Sequence, residues 1–290
     1  MTAYSLLIAP FADYDFMRRA LVGCLALAMG CGPIGVLLVL RRMSLMGDAL
    51  SHALLPGAGA GFVVAGLSLS AMSIGGFVAG LSVALLAGLV TRITPLREDA
   101  SFAAFYLTSL ALGVLLVSLH GSNVDLLHVL FGSVLAVDDG ALILIVAITS
   151  VTLLGLVLVY RPLIVECFDP LFLRAQGGSG GRYHLIFLVL VVLNLVASFQ
   201  ALGTLLAVGL MMVPAAAARF WGSEVWTLAL ISTGIAFASS CLGLLISFHL
   251  DLPSGPAIVL TASACYLLSI LVGPYGGVLV SGGRSRHLEA

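Results

Sequence analysis

Long apolar runs broken by short polar stretches dominate this chain. A helix rises about 1.5 Å per residue, so crossing a hydrocarbon layer of about 30 Å takes roughly 20 apolar residues. By that measure the pattern predicts spans at 18–40, 46–66, 70–91, 101–119, 140–160, 184–199, 203–219, 226–248 and 256–278. The predicted fold class is all-α, a polytopic helical membrane protein of about nine transmembrane helices. The runs at 184–199 and 203–219 are short and meet at Gln200–Gly203; one kinked helix or two half-helices there would give eight spans instead of nine. Residues 1–280 read as a single transmembrane domain and 281–290 as a polar tail.

The polar residues between the runs are distributed unevenly. Ten arginines (Arg41, Arg42, Arg92, Arg97, Arg161, Arg174, Arg182, Arg219, Arg284 and Arg286) fall on one side of the predicted layer. Asp13, Asp15, Asp125, Asp138, Asp139 and Asp251 fall on the other. The positive-inside rule makes the arginine side cytoplasmic, with the N-terminus outside and the C-terminus inside. Arg18 and Arg19, at the outer end of the first span, are the exceptions; they can snorkel or pair with Asp13 and Asp15. The first run is too long for a signal-peptide core and ends in Arg-Arg, so it reads as a retained span.

Composition then removes whole classes of function. Charged residues make up 9% of the chain and hydrophobic ones 61%, whereas soluble domains carry roughly 25% charged residues. The net charge of −1 and the absence of a basic cluster exclude a nucleic-acid partner. Cys24, Cys31, Cys167, Cys241 and Cys265 form no CxxC pair and read as small buried hydrophobes. All 12 basic residues are arginine. Without lysine there is no Walker A loop and no Schiff base, so the chain is not an ATPase. If ATP drives it, another polypeptide hydrolyses the nucleotide. The glycines lie mainly within spans, as at Gly57, Gly59, Gly61, Gly75, Gly76 and Gly80, and let helix backbones approach closely. Pro33, Pro56 and Pro214 also sit inside spans and predict kinks or broken helices.

The strongest chemical signal is the block Arg41-Arg42-Met43-Ser44-Leu45-Met46-Gly47-Asp48-Ala49-Leu50-Ser51-His52-Ala53. Asp48 and His52, four apart, share one face of a helix at membrane depth, where ionisable groups are costly and mark function. A carboxylate and an imidazole are both good ligands for a divalent metal, and a proton pathway or a structural Asp–His hydrogen bond uses the same pair. One chain supplies half of a tetrahedral site; a two-fold dimer would complete it with four N/O ligands, which favours Zn²⁺ over Mn²⁺. Ligand histidine must be neutral, so acid should release the metal.

Weaker candidates lie at the outer mouth. His120 and His128 flank a loop containing Asp125, and His249 and Asp251 sit two apart before Pro253. Either group reads as a collecting site for metal or as ordinary interfacial polar residues. His184, beside Arg182 and Tyr183, reads as an interfacial residue on the cytoplasmic side. The longest cytoplasmic interruption, 161–183, contains Asp169-Pro170-Leu171-Phe172-Leu173-Arg174-Ala175-Gln176-Gly177. Asp169 can cap a short helix begun by Pro170 and ended by Gly177, which presents Phe172 and Leu173 for docking into another protein.

These blocks resemble the permease subunit of bacterial zinc/manganese ABC importers, almost end to end. The most specific match is Arg-Arg-Met-Ser-x-x-Gly-Asp-x-x-x-His-Ala at 41–53. Others are Val124-Asp125-Leu126 through Leu130-Phe131-Gly132, Leu202-Gly203-Thr204 through Pro214-Ala215-Ala216-Ala217-Ala218-Arg219, and Asp251-Leu252-Pro253-Ser254-Gly255-Pro256. The last two also echo the larger vitamin B12 and siderophore permeases. The resemblance implies a type II, vitamin B12-importer-like architecture in the bacterial inner membrane. It also implies a homodimer, cytoplasmic ATPase subunits and an extracytoplasmic metal-binding protein. It puts a metal site at Asp48 and His52 and an ATPase-docking element at Asp169 through Gly177. The chain departs from the family pattern at Gly177-Gly178-Ser179-Gly180-Gly181, which extends that element.

The sequence therefore predicts the permease of an ATP-driven importer, with transported Zn²⁺ first and Mn²⁺ second and no bound cofactor. Two rivals stand beside it: a proton-coupled secondary metal carrier that uses Asp48 and His52 as a proton relay, and an ABC permease for an organic metal chelate, in which those residues are incidental.

Overall fold

The computed structural model describes residues 3–66, 68–96, 98–119, 135, 137–168 and 180–281. Its regular elements are helices: α1 (Ala3–Leu7), α2 (Ala9–Asp13), α3 (Asp15–Leu40), α4 (Ser44–Ala65), α5 (Leu69–Ile93), α6 (Glu98–Leu119), α7 (Asp139–Phe168), α8 (Gly180–Ala218), α9 (Val225–Leu250), α10 (Ser254–Val272) and α11 (Val278–Ser281).

Burial separates a central helix from peripheral ones. The most apolar stretch of α3 is 67% buried, whereas the corresponding stretches of α5, α7 and α10 are each 28% buried. Helix α3 packs against α7, α8 and α9, and its inward face carries Leu27, Cys31, Ile34 and Leu38. The outer face of α7 leaves Ile143, Leu154, Val157 and Leu158 exposed, as lipid contact requires. Cys24 and Cys31 are buried, and all five cysteines are free thiols.

Among the described residues six helices are long and apolar enough to cross a membrane, so the predicted count of nine is not reached by that measure. The apolar stretches Ala100–Leu115 and Leu206–Ala218 are shorter. Helix α4 is absent from the set although it has 22 residues. Asp48, His52 and a run of glycines lower its apolarity.

Side-chain pairs give the helix directions. Arg19 Nη1 meets Asp139 Oδ1 at 3.3 Å, joining the start of α3 to the start of α7. Arg41 Nη2 meets Glu166 Oε2 at 3.1 Å, joining their ends, so the two helices run parallel. Arg18 pairs with Asp15, whereas Arg19 reaches Asp139 rather than Asp13 or Asp15.

The ambiguous region around Gly203 becomes a reversal. His184 of α8 lies against Arg41, and Ser198 lies 3.5 Å from Cys31, about three helical turns back along α3. Beyond the break the Met211 carbonyl abuts Gly35, and Ala215 and Ala218 cluster with Val36. The chain thus passes along α3 and returns, as two antiparallel arms. At the turn Gly203 has φ 76° and ψ 172°, a region essentially reserved for glycine. Pro33, Pro56 and Pro214 lie within helices.

The expected polar interruption at 161–183 is shorter than the sequence pattern indicates. Helix α7 continues through Pro162 to Phe168, and α8 begins at Gly180. The reason is tertiary: Leu163 is fully buried and Glu166 is held by Arg41, so the last turns of α7 are packed. Asp169, Pro170, Leu171, Phe172, Leu173, Arg174, Ala175 and Gly177 lie outside the described residues, as do His120, Asp125 and His128.

Candidate metal site and family membership

Helix α4 starts two residues after a tight turn. Arg41 ends α3, Arg42 takes a left-handed conformation (φ 58°), and Met43 precedes the first turn of α4. Two of its neighbours fix the next four turns. Against α5 the contact is backbone to backbone: a Cβ on Gly57 would overlap the Gly75 carbonyl oxygen, and one on Gly75 would overlap that of Gly57. Against α6, Ser109 Oγ donates to the Ala53 carbonyl at 3.3 Å, and Gly113 leaves room for Pro56.

That packing presents Asp48 and His52 on one face. Asp48 Oδ1 and His52 Nε2 are 3.7 Å apart, beyond hydrogen-bond length, with side-chain exposures of 58% and 31%. The pair is therefore near but not mutually satisfied. His52 Nδ1 is buried and makes no hydrogen bond among the described residues. Tyr106 of α6 stacks on the imidazole, with ring centroids 6.2 Å apart and planes inclined by 27°. Asp48 opens on a cleft of about 170 Å³ lined by Leu45, Met46, Ala49, Phe102, Ala103 and Tyr106. A single water needs only about 10–15 Å³, so a cation that keeps several waters fits.

Among the described residues no three His, Cys, Asp or Glu side chains converge as a metal site. Those residues bring together Asp48 and His52 and add no third ligand of those types. At the end of α9, His249 Nε2 bonds to the Leu6 carbonyl at 3.0 Å, tying α9 to α1. Asp251 caps α9 in a left-handed conformation (φ 51°).

Sequence reasoning overlooked Tyr106. Its signal was available in the spacing Phe102, Tyr106, Ser109 and Gly113, which lie on one face of α6. His184, read as a plain interfacial residue, is instead a partner of Arg41 at 3.1 Å.

The profile of the ABC 3 transport family matches residues 13–273. The chain belongs to the ABC 3 transport family. The family resemblance drawn from the motifs is borne out. Among relatives, it is 34% identical to the manganese import system permease protein ScaB of Streptococcus parasanguinis, over 92% of this chain and 96% of that protein. It is 32% identical to the chelated iron transport system membrane protein YfeC of Yersinia pestis, over 97% and 94% respectively. A chain in the solved structure of PsaBC from Streptococcus pneumoniae in complex with Fab superposes with a TM-score of 0.83 at 32% identity. That match covers 94% of this chain and 99% of the other.

Proposed function

We propose that this chain is the membrane permease of an ATP-driven importer of a divalent transition metal, with manganese as the leading cargo and zinc second. The observation that carries the reading is the Asp48–His52 pair, two ligand groups 3.7 Å apart on a helix flanked by apolar spans, with Asp48 at an open cleft. Two ligands are too few to hold an ion, so the reading needs a second copy that brings its own Asp48 and His52. Ligand count alone favoured zinc. The relatives named above carry manganese and chelated iron in their names, and oxygen-rich, partly hydrated coordination suits manganese, so the order is reversed.

In this reading the metal arrives from an extracytoplasmic binding protein at a mouth formed with His249, Asp251, His120 and Asp125. It rests briefly between the paired α4 helices and leaves toward the cytoplasm of the bacterial cell. Partner ATPase subunits dock at Asp169 through Gly177 and rock the two copies between outward- and inward-open states. A site of this kind must release as readily as it binds, and ligands split across a moving interface meet that demand.

The test is metal uptake by cells or vesicles carrying Asp48→Ala and His52→Ala. Both variants should lose most manganese and zinc uptake while reaching the membrane at normal levels. Wild-type uptake rates in both would sink the site, and uptake that follows a proton gradient and ignores ATP would replace this reading with a secondary carrier.

A further inference from the structure

At the opposite end of the turn that starts α4, one guanidinium holds three helices together. Arg41 Nη2 pairs with Glu166 Oε2 at 3.1 Å, Nε donates to Cys167 Sγ at 3.0 Å, and Nη1 bonds to His184 Nδ1 at 3.1 Å. Its carbon lies 4.5 Å over the Phe187 ring. Arginine only donates, so His184 Nδ1 must accept and the imidazole proton sits on Nε2. The Arg41 and Glu166 side chains are only 8% and 12% exposed. Burying such a pair is costly, and replacing it with apolar residues is often no less stable, so burial alone does not explain its presence.

Position suggests what the cluster does. Glu166 and Cys167 stand in the last turn of α7, and His184 and Phe187 in the first turns of α8. The chain between these helices is the stretch 169–179. Arg41 therefore grips both stems of the segment to which the proposed function assigns ATPase docking. It is also the residue from which the turn to α4 departs. That turn is short and tightly bonded: the Arg42 amide reaches Val39 O at 3.1 Å, and the Met43 amide reaches Leu38 O at 2.9 Å. A link of two residues with Arg42 in the left-handed region cannot absorb a displacement of its own starting point. Movement of the stems must be passed to Ser44, and Asp48 lies only about 6 Å further along the helix.

We infer that Arg41 is the positioning residue that couples the cytoplasmic stems of α7 and α8 to the metal-bearing helix α4; the inference rests on the reading of the chain as an ATP-driven metal permease. It assigns Arg41, Glu166 and His184 to transmission of ATPase motion, with no direct contact to metal or nucleotide.

The experiment uses the full importer (permease, ATPase subunits and binding protein) reconstituted in proteoliposomes, with manganese as the probe. Glu166→Gln keeps the shape and removes the charge, and Arg41→Gln removes the guanidinium. Both should retain the ATPase subunits on purification and hydrolyse ATP at close to the wild-type rate. Manganese taken up per ATP should fall about tenfold, a coupling change of ordinary size. A purely structural staple predicts another result: uptake and hydrolysis fall together, with unchanged uptake per ATP, and that overturns the inference. If Arg41→Gln does not assemble, Glu166→Gln alone decides between these outcomes. A wild-type assembly that imports no manganese overturns the functional reading and the inference with it; wild-type import with undiminished coupling in Glu166→Gln overturns the inference alone.

Discussion

Two glycines of α5 make opposite predictions for the same substitution. Gly75 meets the backbone of α4 at Gly57, where an added Cβ would run into a carbonyl oxygen rather than a yielding side chain. Gly88, about three and a half turns further on, has none of the described residues within 4 Å of an added Cβ. Gly88→Ala should therefore be neutral or stabilising by up to about 1 kcal/mol, the helix-propensity gain of alanine over glycine. Gly75→Ala receives the same gain but forces α4 and α5 apart, and overpacking of this kind costs about 1–3 kcal/mol. The expected gap between the two variants is thus roughly 1–3 kcal/mol in favour of Gly88→Ala, since the propensity gain cancels between them. Purified protein in one detergent, unfolded by denaturant and followed by two probes, measures that gap. Since α4 carries Asp48 and His52, Gly75→Ala should also lower metal uptake, whereas Gly88→Ala should not. Equal stability of the two variants would refute the claim that α4 and α5 are held at backbone contact by glycine.

Two further outcomes follow from the described geometry. Gly203→Ala places a side chain at φ 76° and ψ 172° and should destabilise the folded protein by about 1–3 kcal/mol, read as a lower unfolding midpoint; an unchanged midpoint would show that the arms of α8 do not need that backbone conformation. Metal uptake should fall in His52→Gln, because the substitution removes the nitrogen that the proposed site contributes beside Asp48. Uptake by His52→Gln at the wild-type rate would remove His52 from the ligand set.

How much of this was legible beforehand depended on whether a feature is local or through space. The Asp48–His52 pair was visible because i and i+4 share a helix face whatever surrounds the helix. The joint near Gly203 was visible as a weakness between two short apolar runs, but its geometry was not. Its reversal required the Met211 carbonyl at Gly35 and Ala215 beside Val36, contacts across long stretches of chain. The end of α7 was misjudged because Pro162 and Glu166 look like loop residues, and only Leu163 burial and Arg41 pairing keep that segment helical.

The sequence by itself determined the class, the helical makeup and the residues available for chemistry, since apolar run length, charge placement and i,i+4 spacing are properties of the chain alone. Tertiary structure decided which helix is central, which way the arms of α8 run, that Tyr106 covers His52, and that Arg41 finds partners 125, 126 and 143 residues away. The physical reason is the solvent. In water a helix advertises its buried side by an apolar stripe, but in lipid both the inward and the outward faces are apolar, so the pattern along the chain is nearly silent about facing. What remained was small-residue contact and rare polar pairs, and those acquire partners only when the helices are assembled.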